Sequence, residues 1–365
     1  MTKLFEPLSL RGTQLVNRIA VAPMCQYVAD EGTMTSWHLM HLGQFACGGS
    51  GLVIVEATGV SPEARITHGC VGLWSDANEE GMRPVLEFAR TYGTAKMGIQ
   101  LGHAGRKASV RTPLEGGGPL PAKEGAWQTV GPSALAYAPD WHVPTALDAA
   151  GLARIRQDYE AAARRAVRLG FELIEIHMAH GYLLHQFLSP ISNQREDGYG
   201  GALEGRMRFP LEIFEAVRAV VPDHLPVGVR VSATDWVEGG WDCPQTVEFA
   251  KVLDTKGCDF IDVSSGGNSP LQRIQVGLGY QLPFARAIKA AVQMKVMAVG
   301  MIIDGPQAEA ILRDGDADMI ALARAAMDDP HWAWHAARAL GVVIPYPPQY
   351  ARAHPDVWDP WKKRA

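Results

Sequence analysis

The sequence predicts an α/β fold, a (β/α)8 TIM barrel with a long capping insertion after its third strand. Short β-rich apolar segments alternate with longer amphipathic segments along the 365 residues, which is typical of βα units repeated around parallel strands. Eight such apolar segments occur, as many as the strands of this barrel. The predicted strands are residues 19–23, 52–56, 96–101, 173–177, 227–231, 260–264, 296–299 and 318–321.

Helices are expected between these strands. Residues 152–169 have the clearest pattern, because apolar side chains recur at helical spacing opposite Arg and Glu. Gly170 follows this segment, as a glycine often follows the end of a helix. Residues 211–221 and 246–256 repeat the pattern, and each ends shortly before a proline or glycine.

Two segments do not fit the repeat within what we predict to be a single domain, residues 1–365. Residues 104 to about 146 are rich in Gly, Pro and Trp and follow the third strand, so they are expected to cap the C-terminal face of the barrel. Residues 345–365 begin with a proline-rich stretch. We expect them to form an arm over the surface or onto a neighbouring subunit.

Composition and charge exclude several classes of function. The net charge of −5 argues against a nucleic-acid partner, which requires a basic face. No apolar run reaches the length of a membrane span, and the first residues lack the apolar core of a signal peptide. The five cysteines are scattered without a CxxC pair, which favours free thiols in a reducing cytoplasm and no bound metal.

The most informative motif is His-Met-Ala-His-Gly-Tyr at 177–182, directly after the apolar run 173–176. Loops at strand ends commonly carry chemistry. Two imidazoles about one helical turn apart can converge on one ligand oxygen, and Tyr182 can supply a proton. The alternative interpretation is a helix start whose histidines only satisfy backbone groups.

The other strand ends point to the same chemistry. They offer a thiol, an amide, a guanidinium and a phenol, but Glu56 is almost their only carboxylate. Such a donor-rich set suits an electron-rich organic cofactor and a substrate oxygen that gains negative charge. Gly300 and Arg324 follow the last two strands, where barrels commonly bind phosphate.

Four motifs carry a resemblance to a known family: Pro-Met-Cys-Gln-Tyr at 23–27, Gln-Leu-Gly-His-Ala-Gly-Arg-Lys at 100–107, the motif at 177–182, and Asn-Gln-Arg-Glu-Asp-Gly-Tyr-Gly-Gly at 193–201. The chain resembles the Old Yellow Enzyme family of FMN-dependent ene-reductases, in its YqjM-like and xenobiotic reductase A-like branch. The resemblance extends from residue 4 to the proline-rich tail.

The resemblance implies non-covalent FMN, with NADPH or NADH as reductant. Gln100 and Arg230 would bind the pyrimidine edge of the flavin, where reduced FMN is anionic, and Cys25 would lie beside N5 and O4 and tune the reduction potential. From the residues alone, Cys25 could be a small buried apolar group, and Arg230 could serve strand carbonyls. The full set of implied cofactor residues is Pro23, Met24, Cys25, Ala57, Gln100, Arg230, Gly300, Ala323 and Arg324.

The resemblance also implies the catalytic roles. His177 and His180 would bind the carbonyl or nitro oxygen of an activated alkene while hydride passes from flavin N5 to the β-carbon. Tyr182 would protonate the α-carbon. Tyr27 would assist oxygen binding, or alternatively only pack in the pocket wall.

Two departures from the family's pattern bear on specificity, and the C-terminal tail bears on assembly. Ala323 stands where relatives often have glycine, and Gly300-Met301-Ile302 stands where xenobiotic reductase A-like relatives have a tryptophan. Arg352 resembles an arginine that reaches into a neighbouring subunit's site, so a homodimer or homotetramer is expected; the alternative is a solvated terminal arginine. Trp358 and Trp361 suggest a further interface.

Three other classes of protein fit the sequence less well. Another FMN barrel acting on a nucleobase ring, such as a dihydropyrimidine-type oxidase or a tRNA dihydrouridine synthase, does not explain the histidine pair. A flavin-free isomerase or aldolase needs a lysine or carboxylate at the strand ends. A non-enzymatic binding protein has no use for a proton-transfer site.

Overall fold

The fold is a closed barrel of eight parallel strands, so the predicted (β/α)8 architecture is confirmed. A computed structural model describes residues 2–358. In chain order the strands are β1 (Leu8–Leu10), β2 (Thr13–Leu15), β3 (Ile19–Val21), β4 (Leu52–Gly59), β5 (Lys96–Gly102), β6 (Val130–Gly131), β7 (Thr145–Ala146), β8 (Leu173–Met178), β9 (Val227–Ser232), β10 (Phe260–Ser264), β11 (Lys295–Val299) and β12 (Met319–Leu322). The barrel runs β3–β4–β5–β8–β9–β10–β11–β12 and closes between β12 and β3.

Helices follow the barrel strands and cover their outer faces. In chain order they are α1 (Ser36–Cys47), α2 (Asp76–Tyr92), α3 (Ala149–Leu169), α4 (Leu183–Leu188), α5 (Leu203–Val220), α6 (Cys243–Thr255), α7 (Leu282–Lys289), α8 (Gly305–Arg313), α9 (Arg324–Asp328) and α10 (Trp332–Ala339). None of these helices combines the length and hydropathy that a bilayer span requires, as far as residues 2–358 show.

The observed bounds differ from the predicted ones at particular residues. β3 stops at Val21 because Pro23 has no N–H to donate to a ladder. β4 continues to Gly59 past a register shift between Val55 and Thr58. The helix predicted at 211–221 begins at Leu203 and contains Pro210, because burial of its apolar face outweighs the backbone hydrogen bond that proline removes.

The hairpin β1–β2 was not predicted, because three-residue strands are too short to show a period. Its side chains Leu8, Leu10 and Leu15 are buried at the N-terminal end of the barrel. They form one apolar cluster with residues that begin the barrel strands, including Leu52 and Phe260. The hairpin therefore closes the end of the barrel opposite the predicted site.

Successive side chains of a strand point to opposite faces. The side chains of β8 therefore form two sets, one facing the helices and one facing the barrel interior. Ile174 and Ile176 belong to the large core between strands and helices, whereas Leu173 belongs to the interior cluster. Glu175 and His177 share the inner face with Leu173 and are buried. The barrel interior is thus apolar at its N-terminal end and polar towards its C-terminal end.

Residues 104–146 form an irregular segment with the 3-10 helices Gly105–Lys107, Pro113–Glu115 and Ala122–Glu124 and the short parallel pair β6–β7. Arg106 Nη2 donates to Asn268 O at 2.8 Å, and Trp127 Nε1 donates to Glu63 O at 3.1 Å. These contacts tie the segment to the loops that follow β10 and β4.

The C-terminal segment packs on α10. Tyr346 stacks on Trp334 with ring centroids 3.8 Å apart, and a 3-10 helix follows at Pro348–Ala353. Trp358 is 57% exposed. Trp361 and the rest of 359–365 lie outside the described residues.

Candidate active site

The motif at 177–182 forms a sharp turn between β8 and α4. His177 is on the inner face of β8 and is 3% exposed. His180 and Gly181 both have left-handed backbone conformations, with φ of 58° and 72°. A Cβ at Gly181 would lie 2.2 Å from Gly267 O, so only glycine fits there. The turn delivers Tyr182 to the N-cap of α4.

The two histidines are in direct contact. His177 Nδ1 accepts the N–H of Ala179 at 3.3 Å, which assigns the His177 proton to Nε2. His177 Nε2 lies 3.3 Å from His180 Nδ1, and His180 Nε2 lies 2.7 Å from Ser264 Oγ. In this arrangement His177 donates to His180, and His180 donates to Ser264.

A tautomer change at His180 would turn the same geometry into a site for an oxygen anion. A serine hydroxyl both donates and accepts, so Ser264 can instead donate to His180 Nε2. His180 then carries its proton on Nδ1. The N–H groups of His177 and His180 would then face one region and require an acceptor there.

Both imidazoles are neutral. Burial, and then the charge of Arg230, lowers the pKa of His177 and of His180 well below the usual value. Tyr182 packs edge-on against His177 with ring centroids 5.0 Å apart. Burial raises the pKa of Tyr182 well above 10, so its phenol carries a proton at neutral pH.

Below the histidines lies a layer of polar side chains on neighbouring strands. Gln100 Nε2 donates to Glu175 Oε1 at 2.7 Å, and Arg230 Nε lies 3.1 Å from Asp262 Oδ2. Burial, and then the charge of Asp262, raises the pKa of Glu175 to about 8. One guanidinium therefore faces two carboxyl groups, of which Glu175 is protonated at neutral pH.

Cys25 lies among polar groups rather than in an apolar wall. Cys70, Glu56 and the backbone N–H of Ala57 are the polar groups that act on its thiol. Contact with Cys70 and then burial raise the pKa of Cys25 well above its usual value, so the group is a neutral thiol. The loops 25–29 and 67–70 are also joined through their backbones, since Ala29 N donates to Gly69 O at 2.9 Å.

Tyr27 follows in a left-handed conformation with φ of 60°. It is half-buried, and burial raises the pKa of its phenol. A negative charge on Tyr27 would raise the pKa of Tyr182. The two phenols therefore lie in the same part of the site. Pro23 and Met24, which complete this strand end, are half-buried.

A cavity of about 590 Å³ opens beside the polar layer. It is lined by Arg230, Ser264, Tyr280, Gln281, residues 299–303, residues 321–325, Asp328, Asp329 and Trp332. The predicted phosphate residues Gly300, Ala323 and Arg324 are therefore together in its wall. Ala323 has φ of −112°, so its Cβ requires no left-handed backbone.

Arg352 is not brought to this site within the single chain. It lies in the exposed helix Pro348–Ala353, whose Tyr350 packs on His331 and Trp334. Within residues 2–358, no hydrogen bond or ion pair joins Arg352 to the strand-end residues.

Sequence reasoning missed several residues of the site. Glu175 and Asp262 lie two residues before His177 and Ser264 on the same inner faces, so the two-residue period of β8 and β10 could have found them. Ser264 itself ends the sixth barrel strand. Lys107 belongs to the motif at 100–107, but the motif assigned it no role. Cys70 and Gln281 carried no pattern that predicts their contacts.

The comparisons with known proteins agree with this geometry. Residues 3–341 match the model of the NADH:flavin oxidoreductase / NADH oxidase family. The chain is 44% identical to an NADH:flavin oxidoreductase of Gibberella zeae over 94% of this chain and 87% of that protein. It is 43% identical to an NADPH dehydrogenase of Bacillus subtilis over 96% and 98% of the two chains.

Solved structures show the same architecture. Morphinone reductase superposes with a TM-score of 0.77 at 29% identity, covering 94% of this chain and 91% of that chain. An Old Yellow Enzyme homologue from Zymomonas mobilis superposes with a TM-score of 0.76 at 26% identity, covering 94% of each chain.

Proposed function

The chain belongs to the NADH:flavin oxidoreductase / NADH oxidase family, and on that basis we propose that it is an ene-reductase, which reduces the C=C bond of α,β-unsaturated carbonyl or nitro compounds. The identification with the Old Yellow Enzyme family is confirmed. The protein is thus an FMN-dependent oxidoreductase that uses a nicotinamide reductant. The class of substrate is our proposal.

The residues of the cavity fit FMN. Arg324 supplies a guanidinium in its wall, with Nη2 3.9 Å from Met301 Sδ, and a phosphate would pair with that charge. Gln100 and Arg230 would hold the pyrimidine edge, and Arg230 lines the cavity while its Nε is held 3.1 Å from Asp262 Oδ2. When bound, FMN accepts a hydride from NADPH or NADH and delivers it to the β-carbon of the alkene.

The observation that carries the proposal is the contact between two neutral imidazoles and a protonated phenol. His177 Nε2 and His180 Nδ1 are 3.3 Å apart, and the Tyr182 ring packs on His177. Two N–H donors directed at one oxygen stabilise the negative charge that the substrate oxygen gains. Neutral imidazoles suit this role, because they donate without transferring a full proton.

Tyr182 would complete the reduction by protonating the α-carbon. Its pKa is raised by burial, so it keeps its proton until a strong base is present. An enolate is such a base. Tyr27 shares the region and would assist in binding the oxygen.

We further propose a homodimer or homotetramer in which Arg352 lies near the neighbouring active site. The exposed helix Pro348–Ala353 is anchored on α10 by Tyr346 and Tyr350, which favours an arm of fixed direction. We place the enzyme in the cytoplasm, acting on small activated alkenes and on neither nucleic acids nor membranes.

The proposal is tested with the purified protein. It should be yellow, release FMN on denaturation, lose its colour with NADPH or NADH in the absence of air, and regain it with cyclohexenone. Both reactants would share one site, so initial-rate lines should be parallel. A protein that binds FMN and oxidises NADPH but reduces neither an enone nor a nitroalkene would overturn ene-reduction while keeping the family activity.

A further inference from the structure

Lys107 lies at the start of the insertion and has no role in the site as described above. Its side chain is half-buried. Its ammonium donates to His180 O and to Gly267 O, both at 2.7 Å. The two acceptors belong to different loops, which follow β8 and β10. Lys107 therefore links the catalytic turn to a neighbouring strand end.

The two loops approach so closely at this point that a side chain would fit at neither glycine. A Cβ at Gly267 would lie 2.5 Å from His180 Cα, and a Cβ at Gly181 would lie 2.2 Å from Gly267 O. His180 is held in a left-handed conformation, which is unfavourable for a residue with a side chain. The carbonyls of His180 and Gly267 converge on one cation, which compensates for this crowding of backbone dipoles.

The ammonium also lies between two aromatic rings. Lys107 Nζ is 5.0 Å from the ring centroid of Tyr182 and 4.9 Å from that of Tyr137. Both distances are within the range in which a cation is attracted to an aromatic ring. The cation is therefore next to the phenol to which the proposed function assigns the proton.

No carboxylate pairs with this ammonium in the described part of the chain. The ionisable side chains around it are Arg106 on its own 3-10 helix, Tyr137 in the insertion, His177 near the end of β8, and His180 and Tyr182 beyond that strand. The loop after β10 presents only the Gly267 carbonyl to it. Burial, and then the charge of Arg106, lowers the pKa of Lys107 to about 7. A desolvated cation without a counter-ion costs stability.

We propose that Lys107 is a positioning residue that acts through Tyr182: its ammonium holds the turn 180–182 against Gly267 and supplies the counter-charge for the phenolate that Tyr182 becomes. This inference rests on the proposed function. In the step concerned, the O–H bond of Tyr182 breaks and a C–H bond forms at the α-carbon. The enolate electron pair makes that bond, the carbonyl is restored, and the negative charge moves to the phenolate. Water then returns the proton.

The test compares Lys107→Met and Lys107→Arg with wild type, and Lys123→Met is the control because Lys123 is an exposed lysine of the same insertion. The NADPH-reduced holoenzyme is oxidised in single turnovers by cyclohexenone and by 1-nitrocyclohexene. A nitronate is stable enough to leave and take its proton from water, so only the enone reaction requires Tyr182.

Lys107→Met should slow the enone reaction about tenfold, while the nitroalkene reaction and the reduction by NADPH stay close to wild type. Its melting temperature should stay close to that of wild type, because the loss of the hydrogen bonds to His180 O and Gly267 O is offset by the removal of a desolvated cation without a counter-ion. Lys107→Arg should recover most of the enone rate, since it keeps the charge. The wild-type enone rate should decline as pH rises through about 7, and both variants should lack that decline.

Equal slowing of both oxidations together with a lower melting temperature would show a purely structural lysine and overturn the proposal. An enone rate unchanged in Lys107→Met would overturn it as well. If the wild-type protein reduces no enone, the proposed function itself is wrong, and the role of Lys107 that rests on it is wrong as well.

Discussion

His180 Nε2 lies 2.7 Å from Ser264 Oγ, and this contact controls which nitrogen of the imidazole carries the proton. The other nitrogen, Nδ1, faces His177 Nε2 at 3.3 Å. If Ser264 donates, His180 presents an N–H towards the same region as His177. If Ser264 accepts, His180 becomes an acceptor for His177, and the pair is closed on itself. The serine thus couples the hydrogen bonding of His180 to the cavity wall, which it also lines.

Ser264→Ala should therefore weaken the binding of an oxygen anion. Without the hydroxyl, His180 Nε2 loses the donor that favours a proton on Nδ1. We expect the dissociation constant of 4-nitrophenol, read from its absorbance, to rise about fivefold to tenfold. Ser265→Ala is the control, because Ser265 donates to Gln281 and not to His180. Equal effects of the two substitutions would contradict the assignment to Ser264.

Replacing either histidine should slow one half-reaction more than the other. His177→Ala and His180→Ala each remove one donor to the substrate oxygen, a loss of about 2.7–4 kcal/mol in the transition state. Oxidation of the reduced enzyme by cyclohexenone should slow accordingly, and phenol binding should weaken. Reduction by NADPH, followed by stopped-flow absorbance, should change less. His224→Ala, at an exposed residue beside the N-terminal hairpin, is the control. Unchanged phenol affinity in both variants would show that the pair is structural.

Replacing Arg324 tests where the phosphate of FMN lies in the cavity. If its guanidinium pairs with the FMN phosphate, Arg324→Ala should raise the dissociation constant of FMN by about tenfold to a hundredfold. Riboflavin lacks the phosphate, so its affinity should be the same in variant and wild type. Flavin fluorescence quenching measures both, and Arg313→Ala, an exposed arginine of α8, is the control. A parallel loss of FMN and riboflavin affinity would mean that Arg324 supports the cavity and not the phosphate.

The raised pKa of Glu175 predicts that the free energy of unfolding of the FMN-free protein depends on pH. Its pKa is raised to about 8 by burial and then by Asp262, whereas a glutamate in the unfolded chain titrates near 4.3. Between these values folding takes up a proton, so this group destabilises the fold increasingly as pH rises from about 4.3 to 8. Glu175→Gln has the shape of the protonated acid and removes the effect.

The melting temperature of Glu175→Gln relative to wild type should thus rise from pH 5 to pH 8 and stay level above it. Glu248→Gln, which changes an exposed glutamate of α6, is the control. A constant difference for Glu175→Gln would mean that Glu175 is ionised in the folded protein.

What could be predicted from the sequence was local. Eight apolar segments that alternate with amphipathic ones predicted the barrel. The motif at 177–182, which is contiguous and follows a recognisable strand, supplied the catalytic candidates. The contact between His180 and Ser264 could not, because it joins residues 84 apart through the placement of two different strands. The bonds of Lys107 depend on a left-handed turn at His180, for which the sequence shows only the following glycine. A role for Arg352 depends on a second copy of the chain.

The sharpest prediction concerns Tyr182→Phe. The substitution keeps the ring that packs on His177 and removes only the hydroxyl, so flavin binding and the histidine pair should be retained. Oxidation by enones should slow because the enolate loses its positioned acid, while reduction by NADPH should barely change. Nitroalkenes should be less affected, because a nitronate takes its proton from water. The control is Tyr199→Phe, whose hydroxyl bonds Glu212 away from the site.

Stereochemistry identifies the acid. Hydride should arrive from the flavin side and the Tyr182 proton from the opposite side, so wild type should add hydrogen across the double bond in the anti sense. With a 2-methyl enone in deuterated water, proton delivery by solvent in Tyr182→Phe should reduce this preference. If the variant reduces enones at the wild-type rate with the same anti addition, Tyr182 is not the acid. Tyr27, whose charge would raise the pKa of Tyr182, is then the next candidate for the proton donor.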